Sequence, residues 1–301
     1  MFIIRNRKIF IGISTVLVII SIVLISMFGL KFGIDFKGGA QTEISYTDTR
    51  PTTEVLQGAL AKLELGEVVL QPVGETDYVI KSRDLTETEH QAMMKAVAID
   101  GKFKGEEKSY TSIGPSIGKE LKQKAIWAII LVMLAIICFI AYAFRKVSHP
   151  VSSWRYGLIA IVTLIHDIAI PTGAFALISH YSGIEIDTLF IVALLTVLGL
   201  SVSDTIVVFD RIRENIRHHA SKDFAETVGR SLSQTFTRSI NTSLTVILVL
   251  VSLFLFGPES TKTFALVLAI GLFFGTYSSI FLASPLLVAV EKMQKGNHKK
   301  K

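Results

Sequence analysis

Six stretches of the chain are almost wholly apolar, at about 9–30, 125–144, 157–179, 187–210, 237–256 and 263–290. A bilayer core about 30 Å thick is crossed by roughly 20 apolar helical residues, so each stretch is long enough to span it. Between the first two, residues 31–124 change rhythm. Positions 41–46 alternate as a strand does, and 52–63 have helical spacing with Thr53 as the expected N-cap. Two strands are expected at 67–73 and 78–81 across a turn at Gly74. Thr86 followed by Glu89 has the spacing of a capping box and opens a helix over 86–98. A last strand is expected over 106–113.

That order, β-α-β-β-α-β, predicts a ferredoxin-like α+β domain over 31–124. It sits in an α-helical polytopic membrane protein of six transmembrane helices. The first helix is expected within 1–30, the other five over 125–290, and a basic tail over 291–301. Ile212, Ile216, Phe224, Val228 and Leu232 recur at multiples of four and predict an amphipathic segment near 211–233 on the inner membrane face.

Charge sets the orientation. Of the 31 Lys and Arg residues, 17 fall in the tail or in short connections on one side of the spans. Lys262 alone falls in the short connections on the other side, and the rest lie in 31–124. The positive-inside rule places both termini in the cytoplasm and 31–124 outside. The formal charge of +6 is therefore a topology signal, and no nucleic-acid partner is implied. With one cysteine, Cys138, no intrachain disulfide or cysteine metal cluster can form. Gly114-Pro-Ser-Ile-Gly118-Lys119-Glu120 imitates a phosphate loop but is one residue short and ends on an acid, so it is set aside. Neither a catalytic cluster, a metal site nor a cofactor is implied.

The candidate chemistry lies in the spans, where ionisable side chains are costly and mark function. Asp167 follows His166 in the third span, Asp204 lies in the fourth, and Arg238 opens the fifth. Counted from the outer span ends at 1.5 Å per residue, Asp204 and Arg238 both lie roughly 27 Å deep, which allows an ion pair between them. Asp167 is counted about 9 Å shallower. Ser201, Ser203 and Thr205 flank Asp204, and Asn241 and Thr242 share a face with Arg238 and Thr245. Gly199 and Ser203 form a small-xxx-small pair for close helix approach. Gly271, Gly275, Ser279 and Ala283 form a packing ridge on the sixth span. Pro171 frees the carbonyl of Asp167, a place suited to water or a transient proton.

Three motifs together carry a resemblance: Gly33-Ile-Asp35-Phe-Lys-Gly38-Gly39 after the first span, the run from Ser203 to Asn215, and Thr237-Arg-Ser-Ile-Asn-Thr-Ser243. The chain resembles, over essentially its whole length, the SecF family of the SecD–SecF complex within the RND superfamily. It departs at Ser203, where the family commonly carries Asn. The resemblance implies a non-enzymatic transport subunit of the bacterial inner membrane. It implies that proton flow drives movement of the periplasmic domain and promotes preprotein export. SecD, the SecYEG channel (with YidC or YajC), unfolded preprotein and membrane lipid are the implied partners. Asp204 and Arg238 are the implied ion-pathway residues, with Asp167 added on its burial in a span. The alternatives are half of a small-molecule RND exporter, an intramembrane aspartyl protease, and a scaffold for the channel.

Overall fold

The computed structural model describes residues 2–47, 49–99, 101–145, 151–218, 221 and 223–298. Lys146, Lys222 and Lys299 to Lys301, all counted in the charge asymmetry, lie outside the described residues. The chain divides into a helical unit, Met1–Lys31 with Trp127–Lys301, and an α+β unit, Phe32–Ile126.

In chain order the elements begin with α1 (Phe2–Arg5), α2 (Arg7–Phe28) and α3 (Ile34–Lys37). The α+β unit continues with β1 (Gly39–Tyr46), α4 (Thr53–Leu60), a 3-10 turn (Ala61–Leu63), β2 (Val69–Val73), β3 (Asp77–Ser82), α5 (Glu87–Val97) and β4 (Gly105–Ile113). Then come α6 (Pro115–Ala143), α7 (Ser153–Ser182), α8 (Thr188–Arg217), α9 (Phe224–Phe256) and α10 (Glu259–Ser278). A π-helical turn (Ser279–Ala283) joins α10 to α11 (Ser284–His298). Among the described residues, six helices are long and apolar enough to cross a membrane: α2, α6, α7, α8, α9 and the continuous run from α10 through α11.

The sheet order is β2-β3-β1-β4, with every pair antiparallel, as the predicted β-α-β-β-α-β order requires. Alternate residues of β1 and β3, including Ile44, Tyr46, Tyr78 and Ile80, join Leu56, Leu60, Met93 and Val97 of α4 and α5 in one core. The helix cap of α4 differs from expectation. Thr52, not Thr53, holds the N-cap position, and its side chain makes no capping hydrogen bond. At α5 the capping box forms: Glu89 N donates to Thr86 Oγ1 at 3.4 Å, and Thr86 N donates to Glu89 Oε2 at 2.8 Å. Arg83 also donates to Glu89.

The amphipathic segment expected near 211–233 is not a separate surface helix. Residues through Arg217 continue α8, and α9 begins at Phe224. Its four-residue apolar row packs inward: Ile212, Phe224, Val228 and Leu232 are buried in the same core as Phe144, Tyr156 and Phe209. A four-residue period specifies one apolar face but not what covers it, and here two antiparallel helix ends cover each other. Asn215 Nδ2 fastens them, donating to Ser231 Oγ and Gln234 Oε1, each at 2.8 Å.

The central helices pack through glycine. A Cβ on Gly271 would lie 2.2 Å from Val197 Cγ2, and one on Gly275 would lie 3.0 Å from Ser201 Cβ. Val197, Ser201 and Thr205 thus meet Gly271, Gly275 and Ser279 one helical turn at a time. On the opposite flank of α7, Gly173 lets α2 approach, since its Cβ would fall 2.6 Å from Ser21 Cα.

Two outcomes are expected. Gly271→Ala overpacks the α8–α10 contact and costs about 1–3 kcal/mol. Because the obstructing atom is a side-chain tip, adding Val197→Ala should recover most of the loss, read as the unfolding midpoint of the purified chain. The second concerns Glu89, whose carboxyl is lowered to about 2 by Arg83 and by the Thr86 backbone and hydroxyl. A depressed folded-state pKa stabilises above the unfolded value and is lost as pH falls through the folded one. Protection of the α5 amides, corrected for intrinsic exchange, should fall as pH drops from about 4.3 toward 2, and Glu89→Gln should flatten that dependence.

Candidate functional site: a polar seam inside the helix bundle

The close approach of α8 and α10 sets hydroxyl groups against two carboxylates. Asp167, on α7, is fully buried at 0% exposure. His166 Nδ1 lies 2.9 Å from its Oδ1, while Ser201 of α8 and Ser278 of α10 both donate to Oδ2, Ser278 at 3.0 Å. A buried carboxylate is tolerated only when its lone pairs are met by donors, and three helices supply them here.

Asp204 sits one helical turn further along α8 and is half-buried. Ser239 Oγ of α9 donates to Asp204 Oδ1 at 2.5 Å. Asp204 Oδ2 is buried and has no hydrogen-bond partner among the described residues. Ser279, first residue of the π turn, lies beside the same carboxyl. Its hydroxyl is 2.8 Å from Thr205 Oγ1 and donates to the carbonyls of Gly275 at 3.0 Å and Ser201 at 3.4 Å. Hydroxyls thus run from His166 and Asp167 through Ser201, Ser278 and Ser279 to Asp204 and Ser239. Ser243 of α9 and Thr276 of α10 extend the seam, 2.5 Å apart. Two further buried polar atoms border it without a partner among the described residues, His166 Nε2 and Tyr277 Oη.

Several expected placements differ. Ser201 serves Asp167 instead of Asp204, because i and i+3 on a helix point one turn apart along the axis. The depth difference counted between the two aspartates largely vanishes. Asp167 lies 15 residues before the end of α7 at Ser182, and Asp204 lies 16 after the start of α8 at Thr188. α7 ends at Ser182, three residues beyond its apolar run, while α8 starts at Thr188, just inside its own, and the gap came from those offsets. No direct Asp204–Arg238 ion pair is found among the described residues. Adjacent helical residues point about 100° apart, so Ser239 faces α8 while Arg238 turns to the exposed side and acts on Asp204 electrostatically. Asn241, Thr242 and Thr245 share that exposed side. Ser203 is exposed on α8, and a Cβ on Gly199 would meet nothing within 4 Å, so this small-xxx-small pair has no helix against it among the described residues.

Ser239, Ser243, Ser278 and Thr276 were not among the residues expected at the site. A signal existed: Ser231, Thr235, Ser239 and Ser243 form an unbroken i+4 hydroxyl row along one face of α9.

The glycine motif after α2 has a separate role in the α+β unit. Gly33 caps α3, and Asp35 lies in its first turn. Gly38 (φ +83°) and Gly39 (φ +139°) adopt backbone conformations that L side chains rarely reach. A Cβ on Gly38 would lie 2.8 Å from Pro115 Cα, and a Cβ on Gly118 would lie 2.9 Å from Gly38 N. Gly118 belongs to the discarded phosphate-loop imitation, so its glycine serves backbone contact.

Comparison with known proteins follows the same lines. A family described as "Protein export membrane protein SecD/SecF, C-terminal" matches residues 93–293, and the "SecD/SecF GG Motif" matches residues 23–49. The chain is 42% identical over 300 residues to a "Protein translocase subunit SecF" of Thermobaculum terrenum, covering 96% of this chain and 93% of that one. It is 35% identical to the SecF of Anaerolinea thermophila, covering 96% and 94% respectively. Among solved structures it resembles SecDF, a translocon-associated membrane protein from Thermus thermophilus, with a TM-score of 0.81 and 29% identity. That match covers 96% of this chain but 38% of the SecDF chain, so the protein spans about two fifths of that longer one. In sequence, fold and the placement of its glycine motif, the chain belongs to the SecF family of Sec protein-translocase membrane subunits.

Proposed function

We propose that inward proton flow through the helical unit of this translocase subunit drives movement of its α+β domain and so promotes preprotein export. The observation that supports it is Asp204: a carboxyl inside a membrane bundle, held on one oxygen by Ser239 and left open on the other. An intramembrane carboxylate with an open lone pair is poised to take a proton or to meet a group from a partner. Arg238 is close enough to act on its charge, so protonation of Asp204 removes an attraction across the α8–α9 contact and releases the helices to repack. Asp167 contributes as the buried anchor of the same seam.

The partner this reading requires is SecD. The chain also matches a fused SecDF of Bacillus subtilis at 32% identity, covering 37% of that longer protein, so the two halves occur as one polypeptide among relatives. Arg238, Asn241, Thr242 and Thr245 on α9, with Gly199 and Ser203 on α8, are costly to present to acyl chains and fit a second set of helices. The SecYEG channel, with YidC or YajC, and the unfolded preprotein are the further partners, and the bacterial inner membrane is the location. An aspartyl protease would need two carboxyls sharing one proton, whereas here serine hydroxyls stand between them.

The energy scale is adequate. One proton moving through about 150 mV releases roughly 3.5 kcal/mol, against about 5.5 kcal/mol for a full 1:99 to 99:1 population swing. A single proton therefore biases the conformational equilibrium, and a second or a partner contact completes it.

Asp204→Asn keeps the shape and the Ser239 contact but cannot titrate. In vesicles reconstituted with SecD and the channel, it should abolish gradient-dependent export while assembly persists; unchanged export would refute the proposal. Arg238→Lys should retain part of the activity lost in Arg238→Met, in the same assay.

A further inference from the structure

The run from α10 to α11 contains a π turn, Ser279–Ala283, whose first residue sits at the node of the polar seam. A π turn carries one residue more than the α-helix around it, is energetically marginal, and is found most often at functional sites. Ser278, just before the turn, serves Asp167; Ser279, at its start, lies beside Asp204. Ser284 Oγ, at the far end, donates to the carbonyl of Ser279 at 3.4 Å.

We propose that Ser278 and Ser279 are positioning residues for ion coupling, and that migration of the π turn toward the N-terminus of α10 switches which of them faces which carboxylate. This rests on Asp204 as the titrating group. A turn that passes a residue advances it one register position, about 1.5 Å along the axis and about 100° around it. Ser279 then takes the place of Ser278 against Asp167, and Ile280 takes the place of Ser279 against Asp204. Two serines in succession are what such a step needs. The fully buried Asp167 keeps an α10 hydroxyl in both registers, while Asp204, served by Ser239 of α9 throughout, has one from α10 only in the first.

The direction follows from desolvation. Ionised Asp204 favours the register that offers it Ser279; neutral Asp204 tolerates the apolar Ile280 side chain. Proton uptake therefore drives the turn toward the N-terminus. The charged and titratable groups around Asp204 act in the same frame: Arg238 from α9, the His166–Asp167 pair of α7 across Ser201, and Tyr277 from α10. Glycines at 271 and 275 leave no side chains on this face of α10 to obstruct the rotation.

The test uses the full chain with Cys138→Ala, co-produced with SecD in membrane vesicles. Thr205→Cys with Ser279→Cys reports the observed register, in which the two native hydroxyls are 2.8 Å apart. Thr205→Cys with Ile280→Cys reports the shifted one. Disulfide formation should favour the first pair at high pH and the second under an inward proton gradient, with the ratio moving about fivefold or more. Adding Asp204→Asn should hold the second pair closed at every pH. Closure of the first pair alone under all conditions overturns the proposal. Because thiols alter the site, infrared spectra of Ser279→Ala, Ser279→Thr and Ser278→Ala give an independent reading. The carboxyl band that disappears in Asp204→Asn should shift in Ser279→Ala, return in Ser279→Thr, and stay in place in Ser278→Ala. An unshifted band in Ser279→Ala also overturns it. If Asp204→Asn exports normally, the coupling role of Asp204 fails, while the cross-linking ratio still reports whether the register moves.

Discussion

A carboxylate that reaches no water has to be solvated by its own protein, and Asp167 shows what that demand does to a helical membrane unit. Its donors arrive from three directions: His166 beside it on α7, Ser201 from α8 and Ser278 from α10. The two serines can serve it only if the three helices stand at one separation and one rotation. Gly271 and Gly275 set the separation, since any larger residue would push α10 away from Val197 and Ser201. In a medium where apolar surface gives little drive for helices to associate, small residues and hydroxyl contacts replace it. The interior of this bundle is specified by polarity and fit together.

Asp204 differs from Asp167 in degree of completion. The deeper group is enclosed by its own chain, whereas Asp204 has an open oxygen, partial exposure and a cation turned outward on the neighbouring helix. The donors of Asp167 tie three helices together; Asp204 carries a donor on one oxygen only. Ser201, which serves Asp167, and Asp204 are three residues apart on α8, less than one helical turn, so a change at Asp204 is felt by the hydroxyls that serve Asp167.

Much of this was legible in the sequence. Six apolar runs, the lysine and arginine asymmetry, and the β-α-β-β-α-β rhythm needed only length and period. Asp167 and Asp204 stood out because ionisable residues are rare inside spans. Azimuth was not legible. Whether α9 turns Arg238 or Ser239 toward α8 depends on a rotation of about 100° per residue, and that rotation is fixed by packing between segments distant in sequence. The π turn was hidden for a related reason. Its extra residue leaves no compositional mark, and Ser278-Ser279 reads as an ordinary interruption of an apolar run. The helix continuing through 211–217 was misread as a surface element because a four-residue apolar row looks the same whether lipid or another helix covers it.

The glycine contact in the α+β unit carries a mechanical consequence. Gly38 enters the domain and Gly118 leaves it, and their backbones touch closely enough that neither position admits a methyl group without displacement. β1 and β4, which follow and precede these points, pair along their full lengths in antiparallel register, with one bulge at Glu43 and Ile44. Tension applied through the two connecting segments therefore meets a closed ring at its clasp, and the sheet behind it stays unstrained until the clasp opens. A domain closed in this way resists being stretched between its two ends.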